Sequence, residues 1–485
     1  MTADVGNGSR RSSYSRARLP LSIWTRRNGL PPDTQHFVES SQRPIFTMPI
    51  DFHLSPAEQE TRAAAAAFAQ SVLKQSRAAY EGQTGHAKRF QATRPAYEAA
   101  AAGGLIKGLV AGPLGGSGGS LVESAIMVEE CYAVEPSAAL TLFATGLGLS
   151  PLNALLSAEG AGEGGREFLA PFLSGQGAPL ASLAFSEPGG VANWLEKGGR
   201  GLNTTARRQP DGSWALNGEK MWATNCAGWD FKGADLTCVV CRDASAEGVA
   251  DDPRSKIMLL VVTRADLDRS GPGAFTVLRH VETAGHTSWS GPHVRYTDVV
   301  VPAGNLLCAA SPSGRAADAV LGAFDGSAVL VGAMGVGLMR AAFDAALAFA
   351  RGWGNGGGAE PLLARQAAAD LLSGVKMQAE ACRALTWKAA HALERGPGSY
   401  AARRELALAA KVHCSDAAVR AVVDAMGAVG VSSYDKSQPF ASLLMDAMAL
   451  PVFDGGNVGM RRRDLQQLMM DPEYDAWAAT YGPSK

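Results

Sequence analysis

The sequence predicts an α+β multidomain fold: an N-terminal helical domain, a middle β-barrel-like domain and a C-terminal helical bundle. Length is the first reason. At roughly 100–200 residues per domain, 485 residues make about three domains, each able to bury a core. Periodicity is the second. Apolar residues recur at helical spacing up to about Phe172, at a spacing of two from Pro179 to Pro302, and at helical spacing again beyond. Composition is the third: 46% apolar and 19% charged residues describe an ordinary globular chain. The expected limits are an extension at 1–47, a helical domain at 48–178, a β domain at 179–305 and a helical domain at 306–485.

The extension differs in kind from the rest. Arg10, Arg11, Arg16, Arg18, Arg26, Arg27 and Arg43 stand among many serines, and Asp4, Asp33 and Glu39 are its only acids. Arg- and Ser-rich, acid-poor character is that of an organelle transit peptide. A disordered tail and a true start at Met48 are the readings left beside it, on an otherwise cytoplasmic chain. In the first helical domain, Ser55-Pro56-Ala57-Glu58 reads as an N-cap, an N1 proline and an acidic first turn ahead of Thr61–Tyr80. Helices are expected again at Val122–Tyr132 and Ala138–Leu156. In the β zone, Thr204–Arg208 and Trp214–Asn217 flank the hairpin signal Pro210-Asp211-Gly212-Ser213. Leu236–Cys241, Lys256–Thr263, Phe275–His280 and Val294–Val301 are further strands, the last rich in β-branched residues. Helices return at Gly322–Arg351, Leu362–Arg395, Ser399–Val429, Phe440–Met448 and Val458–Met470.

Charge and cysteine usage exclude several classes. Lys+Arg 45 against Asp+Glu 46 argues against a broad nucleic-acid footprint. Seven cysteines scattered from Cys131 to Cys414 make no disulfide framework, and Cys238 and Cys241 read as residues of an apolar strand. Eight histidines show no metal-ligand spacing, so no metal is expected. The longest apolar run, Ala328–Met339, is shorter than the roughly 18 residues of a membrane span, so no membrane partner is expected. Gly115–Gly119 matches G-x-S-x-G but lacks the strand that a nucleophile elbow needs before it. Gly335-Val336-Gly337 lies in mid-helix and reads as a close helix–helix contact rather than a dinucleotide loop.

The informative strings lie in the β zone and near the C-terminus. Leu183-Ala184-Phe185-Ser186-Glu187-Pro188-Gly189-Gly190 ends a strand in a loop of small residues that exposes backbone N–H groups. Asn217-Gly218-Glu219-Lys220-Met221-Trp222-Ala223-Thr224-Asn225 sets a tryptophan and a hydroxyl side by side at a strand end. Phe453-Asp454-Gly455-Gly456-Asn457 precedes Arg461, seven residues past the acid. These strings, in this order, resemble the acyl-CoA dehydrogenase superfamily over Asp51–Lys485. Its S/T-E-P-G loop, NGxKxWITN strand and Y-E-G-T acid occupy the same places. The aspartate at 454 and the stretches Arg89–Pro95, Ala192–Leu195, Gly228–Leu236 and Trp477–Gly482 narrow the resemblance to the nitroalkane oxidases.

That resemblance implies an acyl-CoA dehydrogenase-like fold, a homotetramer, one FAD per subunit, and a nitroalkane and O₂ as substrates. The products it implies are an aldehyde or ketone, nitrite and hydrogen peroxide. It makes Asp454 the base that takes the α-proton, Arg461 its oriented cation and Ser327 a serine near the substrate. A nearby cation favours the ionised form of a carboxyl, and Arg is always charged. The residue-level alternative is a structural Asp–Arg pair at a helix start. FAD contacts are implied for Leu183, Ala184, Phe185, Ser186, Val191, Ala192, Asn193, Trp222, Ala223 and Thr224, with Thr224 at flavin N5. Partly across a subunit boundary they are implied for Arg365, Gln366, Val423, Asp424, Ala425, Met426 and Gly427, and beside the base for Val452, Phe453, Gly455 and Gly456. One departure is Asn355, where the family has an arginine on the FAD pyrophosphate; Arg351 lies four residues earlier. An acyl-CoA dehydrogenase that passes electrons to a flavoprotein is the alternative function.

Overall fold

The computed structural model describes residues 52–158, 164–245, 252–352 and 359–484. The extension at 1–47 and Asn355 lie outside these residues. The first helical layer holds α1 (Pro56–Phe68), α2 (Lys74–Glu81), α3 (His86–Ala92), α4 (Arg94–Ala102), α5 (Leu121–Tyr132), α6 (Pro136–Leu156) and α7 (Ala170–Leu173). Ser55 starts α1 as expected: its hydroxyl accepts from the Glu58 amide and its own amide donates to the Glu58 carboxylate. A π turn at Ala69–Leu73 joins α1 to α2, so the Ala-rich segment is one interrupted rod.

The chain then forms β1 (Ala181–Ala184), β2 (Thr205–Arg208), β3 (Trp214–Lys220), β4 (Leu236–Asp243), β5 (Ile257–Thr263), α8 (Arg264–Ser270), β6 (Phe275–Arg279), β7 (His293–Val301) and β8 (Leu306–Cys308). The strands run β6-β7-β3-β2-β4-β5-β8 across the sheet, with β1 parallel to β4. β8 pairs with β5, so the sheet continues three residues past the expected limit at 305. The β2–β3 hairpin turns where Pro210–Ser213 predicts, closed by the Gln209 amide on the Ser213 carbonyl at 2.7 Å. β4 is buried from Leu236 to Cys241. Side chains alternate along a strand, so Cys238 packs in the core shared with the helices and Cys241 in the core on the sheet's other face. They are strand residues, as read.

Beyond the sheet come α9 (Arg315–Gly352), α10 (Gln366–Arg395), α11 (Tyr400–Val429), α12 (Phe440–Ala449), α13 (Arg462–Met469) and α14 (Ala478–Tyr481). α6 and α9 are both long and apolar enough to cross a membrane, which the unbroken run Ala328–Met339 did not suggest. Scattered polar residues interrupt such a run without interrupting the helix. The apolar windows of α6 and α9 are 67% and 56% buried within the protein, so both serve as core helices.

Two of the motifs singled out by sequence have packing roles. Gln91 donates to the Trp229 carbonyl at 2.9 Å, Phe90 stacks on Trp229 at 4.5 Å, and Trp229 donates to the Ala178 carbonyl. Arg89–Pro95 and Gly228–Leu236 thus lock the first helical layer to the sheet. Gly335 and Gly337 pack α9 against two partners. A Cβ at Gly335 would stand 2.9 Å from the Cys414 carbonyl of α11, and one at Gly337 2.8 Å from the Glu129 carbonyl of α5. Both are close helix contacts, as expected.

Gly337→Ala should therefore cost roughly 1–3 kcal/mol, because backbone must move to admit the methyl. Gly374→Ala on α10, with nothing within 4 Å of its Cβ, should stabilise by about 0.5–1 kcal/mol. Thermal melting of the two variants against wild type should move in opposite directions.

Candidate active site

Asp454 sits in the turn between α12 and α13, in a run of left-handed backbone. Its φ is +52°, followed by +88° at Gly455 and +66° at Gly456. Such a φ at a non-glycine costs on the order of 1–3 kcal/mol and persists only where the surroundings impose it. Here they do. The Asn457 amide closes on the Pro451 carbonyl at 2.8 Å and the Gly456 amide on Phe453 at 3.1 Å. A π turn at Gly456–Arg461 then brings Arg461 back over the loop. Its Nε donates to the Asp454 carbonyl at 2.9 Å and its Nη2 to Asp454 Oδ2 at 3.1 Å. Glycine at 455 leaves the space this requires, since a Cβ there would lie 3.0 Å from Arg461 Nε.

α9 supplies the other side. Ser327 Oγ donates to Asp454 Oδ1 at 2.9 Å, so each carboxylate oxygen has its own donor. One turn earlier on α9, Phe324 offers its carbonyl to Arg461 Nη2 at 3.4 Å and its ring to the guanidinium at 5.8 Å. The side chains of Asp454 and Arg461 are only 4% and 2% exposed. Behind Arg461 lies a second tier of charge: Asp464 at 3.7 Å, then Arg404, which grips Asp325 at 2.8 and 2.9 Å, with the Tyr400 hydroxyl on the same carboxylate. Burial raises the Asp325 carboxyl above its ordinary value against the pull of Arg404. The three residues expected to carry chemistry are therefore in mutual contact. Sequence reasoning missed Phe324 and the Asp464–Arg404–Asp325 tier, for which spacing carried no signal.

A second turn carrying expected site residues follows the end of β3. Trp222 and Asn225 both have left-handed φ, +65° and +71°. Asn225 is wholly buried and pins the turn, its side-chain amide donating to the Thr141 carbonyl at 2.9 Å and its backbone amide to the Ser290 carbonyl at 2.8 Å. Trp222 lies half-exposed and parallel to Trp289 at 6.2 Å. Ala223 is buried and Thr224 half-buried, its carbonyl held by Ser182. The neighbouring loop Ser186–Gly190 is anchored by the buried pair Lys220–Glu187 at 3.0 Å, with Lys220 also on the Phe185 carbonyl. Burial opposes ionisation of Glu187, but the Lys220 ammonium and the amides of Asn203 and Thr204 outweigh it and hold the carboxyl below its ordinary value.

Known proteins are similar to this chain over most of their length. Residues 55–176 match the acyl-CoA dehydrogenase N-terminal domain, and residues 316–469 match the acyl-CoA dehydrogenase C-terminal domain. A nitroalkane oxidase of Podospora anserina is 64% identical over 439 residues, which are 90% of this chain and 99% of that protein. Its solved structure superimposes with a TM-score of 0.85, covering 90% of this chain and all of the other. A nitroalkane oxidase of Fusarium oxysporum is 46% identical over 90% of this chain and 98% of its own. An active-site mutant of nitroalkane oxidase crystallised with 1-nitrooctane is 45% identical, covers 89% of this chain and 100% of its own, and has a TM-score of 0.84. This chain belongs to the nitroalkane oxidase family.

The nitroalkane oxidases and the wider acyl-CoA dehydrogenase family are flavoproteins, and the residues present fit a flavin. The Trp222 ring is a partly exposed aromatic face, and the Thr224 hydroxyl makes no hydrogen bond among the described residues. Buried hydroxyls of Thr141 and Ser288, next to the Asn225 and Trp289 contacts, likewise lack a protein partner. A ligand bearing both donors and acceptors would satisfy them. Leu183 and Ala184 are buried at the end of β1, and Phe185 packs edge-on to Trp194 at 4.8 Å and against Phe324 at 5.3 Å. Ser186 and Val191 are half-buried. Arg463 reaches the Ala192 carbonyl and the Asn193 side chain and so ties α13 to the loop.

The expected contacts on α10 and α11 lie mostly at the surface of the single chain, whereas Val452, Phe453, Gly455 and Gly456 belong to the turn of Asp454 itself. Arg365 and Gln366 stand exposed at the start of α10, as do Val423, Asp424 and Gly427 along α11, with Met426 half-buried and Ala425 buried. Val452 is exposed, whereas Phe453 lies 6.4 Å from the His286 ring. Arg351, the substitute weighed for Asn355, is exposed at the end of α9.

Lys220→Met should strand the buried Glu187 carboxylate and destabilise the protein by roughly 3–5 kcal/mol, and Lys220→Met/Glu187→Gln should recover much of the loss. Because the folded Glu187 carboxyl is depressed, its contribution is present above the unfolded value of about 4.3 and is lost as pH falls through the folded one. Melting temperatures of wild type and both variants from pH 7 to pH 4 check this. Equal melting of the single and double variants would refute it.

Proposed function

We propose that this chain oxidises nitroalkanes to aldehydes or ketones, with nitrite and hydrogen peroxide as co-products. The observation that carries this reading is the carboxylate of Asp454, held on one oxygen by Arg461 and on the other by Ser327, at the position to which the family resemblance assigns the base. A nitroalkane has a weakly acidic C–H beside the nitro group. A positioned carboxylate that takes this proton supplies typically about 10²–10⁴-fold. Asp454 is that base. Arg461 pairs with it and aims it, and Ser327 fixes the second oxygen so the carboxylate cannot swing on χ2. FAD, cradled by the β1 end, the Ser186–Asn193 loop and the Trp222–Thr224 turn, supplies the electron-accepting chemistry when bound. Thr224 has a hydroxyl free to bond a ring nitrogen of such a ligand. The near-complete burial of the Asp454–Arg461 pair excludes water from the proton transfer.

O₂ as the terminal acceptor belongs to the same proposal, as does a homotetramer. Support for assembly is the exposure of Val423, Val431, Tyr434, Val452 and Val458, large apolar side chains for a soluble surface to carry together. Contact across a subunit boundary would also account for the distance in the chain between Arg365–Gln366 and Val423–Gly427 and the rest of the FAD contacts. Light scattering of the holoenzyme distinguishes a tetramer from smaller species.

Two variants test the base. Asp454→Asn should keep FAD and fold, nearly abolish nitrite release from neutral nitroethane, and still oxidise pre-formed ethyl nitronate, which is already deprotonated. Equal loss with both substrates would remove the general-base role. Asp454→Glu lengthens the arm by one methylene, and a base misplaced by about 1 Å costs on the order of 10²-fold. Nitroethane turnover should fall by about that factor with flavin binding unchanged. Bleaching of the wild-type flavin by an acyl-CoA without air, with no nitrite from nitroethane under air, would favour a dehydrogenase instead.

A further inference from the structure

Lys411 lies in the middle of α11 with no exposed surface, in a run of alanine, leucine and valine. A buried lysine needs partners, and its partners are informative. Nζ donates to the Leu450 carbonyl at 3.1 Å and to Asn457 Oδ1 at 2.7 Å. These are the two ends of the turn that carries Asp454. Asn457 is itself 2% exposed, and its amide nitrogen reaches Ser415 Oγ at 2.9 Å and Asp416 Oδ1 at 2.7 Å, both on α11. The strained backbone from Asp454 to Gly456 is thus held shut at its base by one ammonium and fastened to one helix.

We propose that Lys411 is a positioning residue for the base: its ammonium holds both ends of the Leu450–Asn457 turn together and so sets where the Asp454 carboxylate stands. This rests on the assignment of Asp454 as the base. Arg461 aims the carboxylate by direct contact, whereas Lys411 fixes the backbone from which that carboxylate projects. It also places a second positive charge within electrostatic reach of Asp454. The groups that face it are Asp454 and Arg461 from the turn and Asp416 from its own helix. Burial drives the ammonium down to about 8, with the Asp454 carboxylate opposing that fall, Arg461 adding to it and Asp416 opposing it. The charged form therefore prevails below about 8 and is lost as pH rises through it. Bonds from a charged donor are roughly twice as strong as neutral ones, so the clamp weakens over that range.

The test compares wild-type and Lys411→Met holoenzymes with fresh neutral nitroethane and with pre-formed ethyl nitronate, following nitrite from pH 6 to pH 9.5. Lys411→Met should lower kcat/KM for nitroethane on the order of 10–10²-fold while ethyl nitronate changes less than about two-fold, because only the first substrate needs an aimed base. Wild-type activity on nitroethane should fall as pH rises through about 8, and this limb should be absent in Lys411→Met. If Lys411→Met does not retain FAD, Asn457→Ser cuts one end of the clamp and should show the same selective loss. Equal losses on both substrates, or superimposable pH profiles above pH 8, would overturn the proposal and leave Asp454 as the base. A wild-type enzyme that releases nitrite from neither substrate would take the base assignment down with it.

Discussion

A carboxylate almost wholly buried and held at both oxygens is the constraint around which this protein is arranged. Removing a carboxylate from water costs several kcal/mol even after relaxation, and an unpaired one would protonate or unfold its surroundings. At Asp454 that cost is offset by Arg461 and Ser327, each of which donates to one oxygen. That solution dictates local backbone. Arg461 reaches back through a π turn, and the carboxylate meets Ser327 from a left-handed residue followed by two glycines. The strain is tolerable because Lys411 and Asn457 fasten the turn to α11.

The same constraint links elements far apart in sequence. α9 contributes Phe324 and Ser327 to the base and, from Asp325 on another face, a partner for Arg404 of α11. Glycines at 335 and 337 let α9 approach α11 and α5 at backbone distance. Movement of α9 would therefore disturb the base, its cation and the second tier of charge together. Deep packing makes the central helices rigid, and rigidity is what a base aimed within about 1 Å requires.

The sheet region meets this bundle through aromatic contacts as well as through charged groups such as Arg254 on Asp318 and Arg463 on the Ala192–Asn193 loop. Phe185 touches Phe324 and Trp194 beyond the end of β1, and the Trp222–Asn225 turn is pinned to α6 by Asn225. The buried Lys220–Glu187 pair anchors the loop between them. Two buried lysines thus perform parallel tasks. Lys220 ties down the loop expected to wrap the flavin, and Lys411 ties down the turn that carries the base.

Sequence alone determined the helix–sheet–helix order, the Pro210–Ser213 hairpin and the α1 cap, because each follows from local periodicity or a single side-chain bond. It also determined Asp454 and Arg461 as partners, since seven residues through a turn and a helix start keep two side chains within reach. The family strings pointed to Ser327 and the Trp222–Thr224 turn, but no local rule placed them near Asp454. Tertiary structure decided the rest. Lys411 is 43 residues from Asp454 in the chain (454 − 411), and Phe324 is 137 from Arg461. Neither has a local pattern that marks it, although a lone lysine in an apolar helix was a faint sign of a buried partner. Rod-like packing of α9, α11 and α12 creates those contacts, and non-local packing is the one thing a linear pattern does not encode.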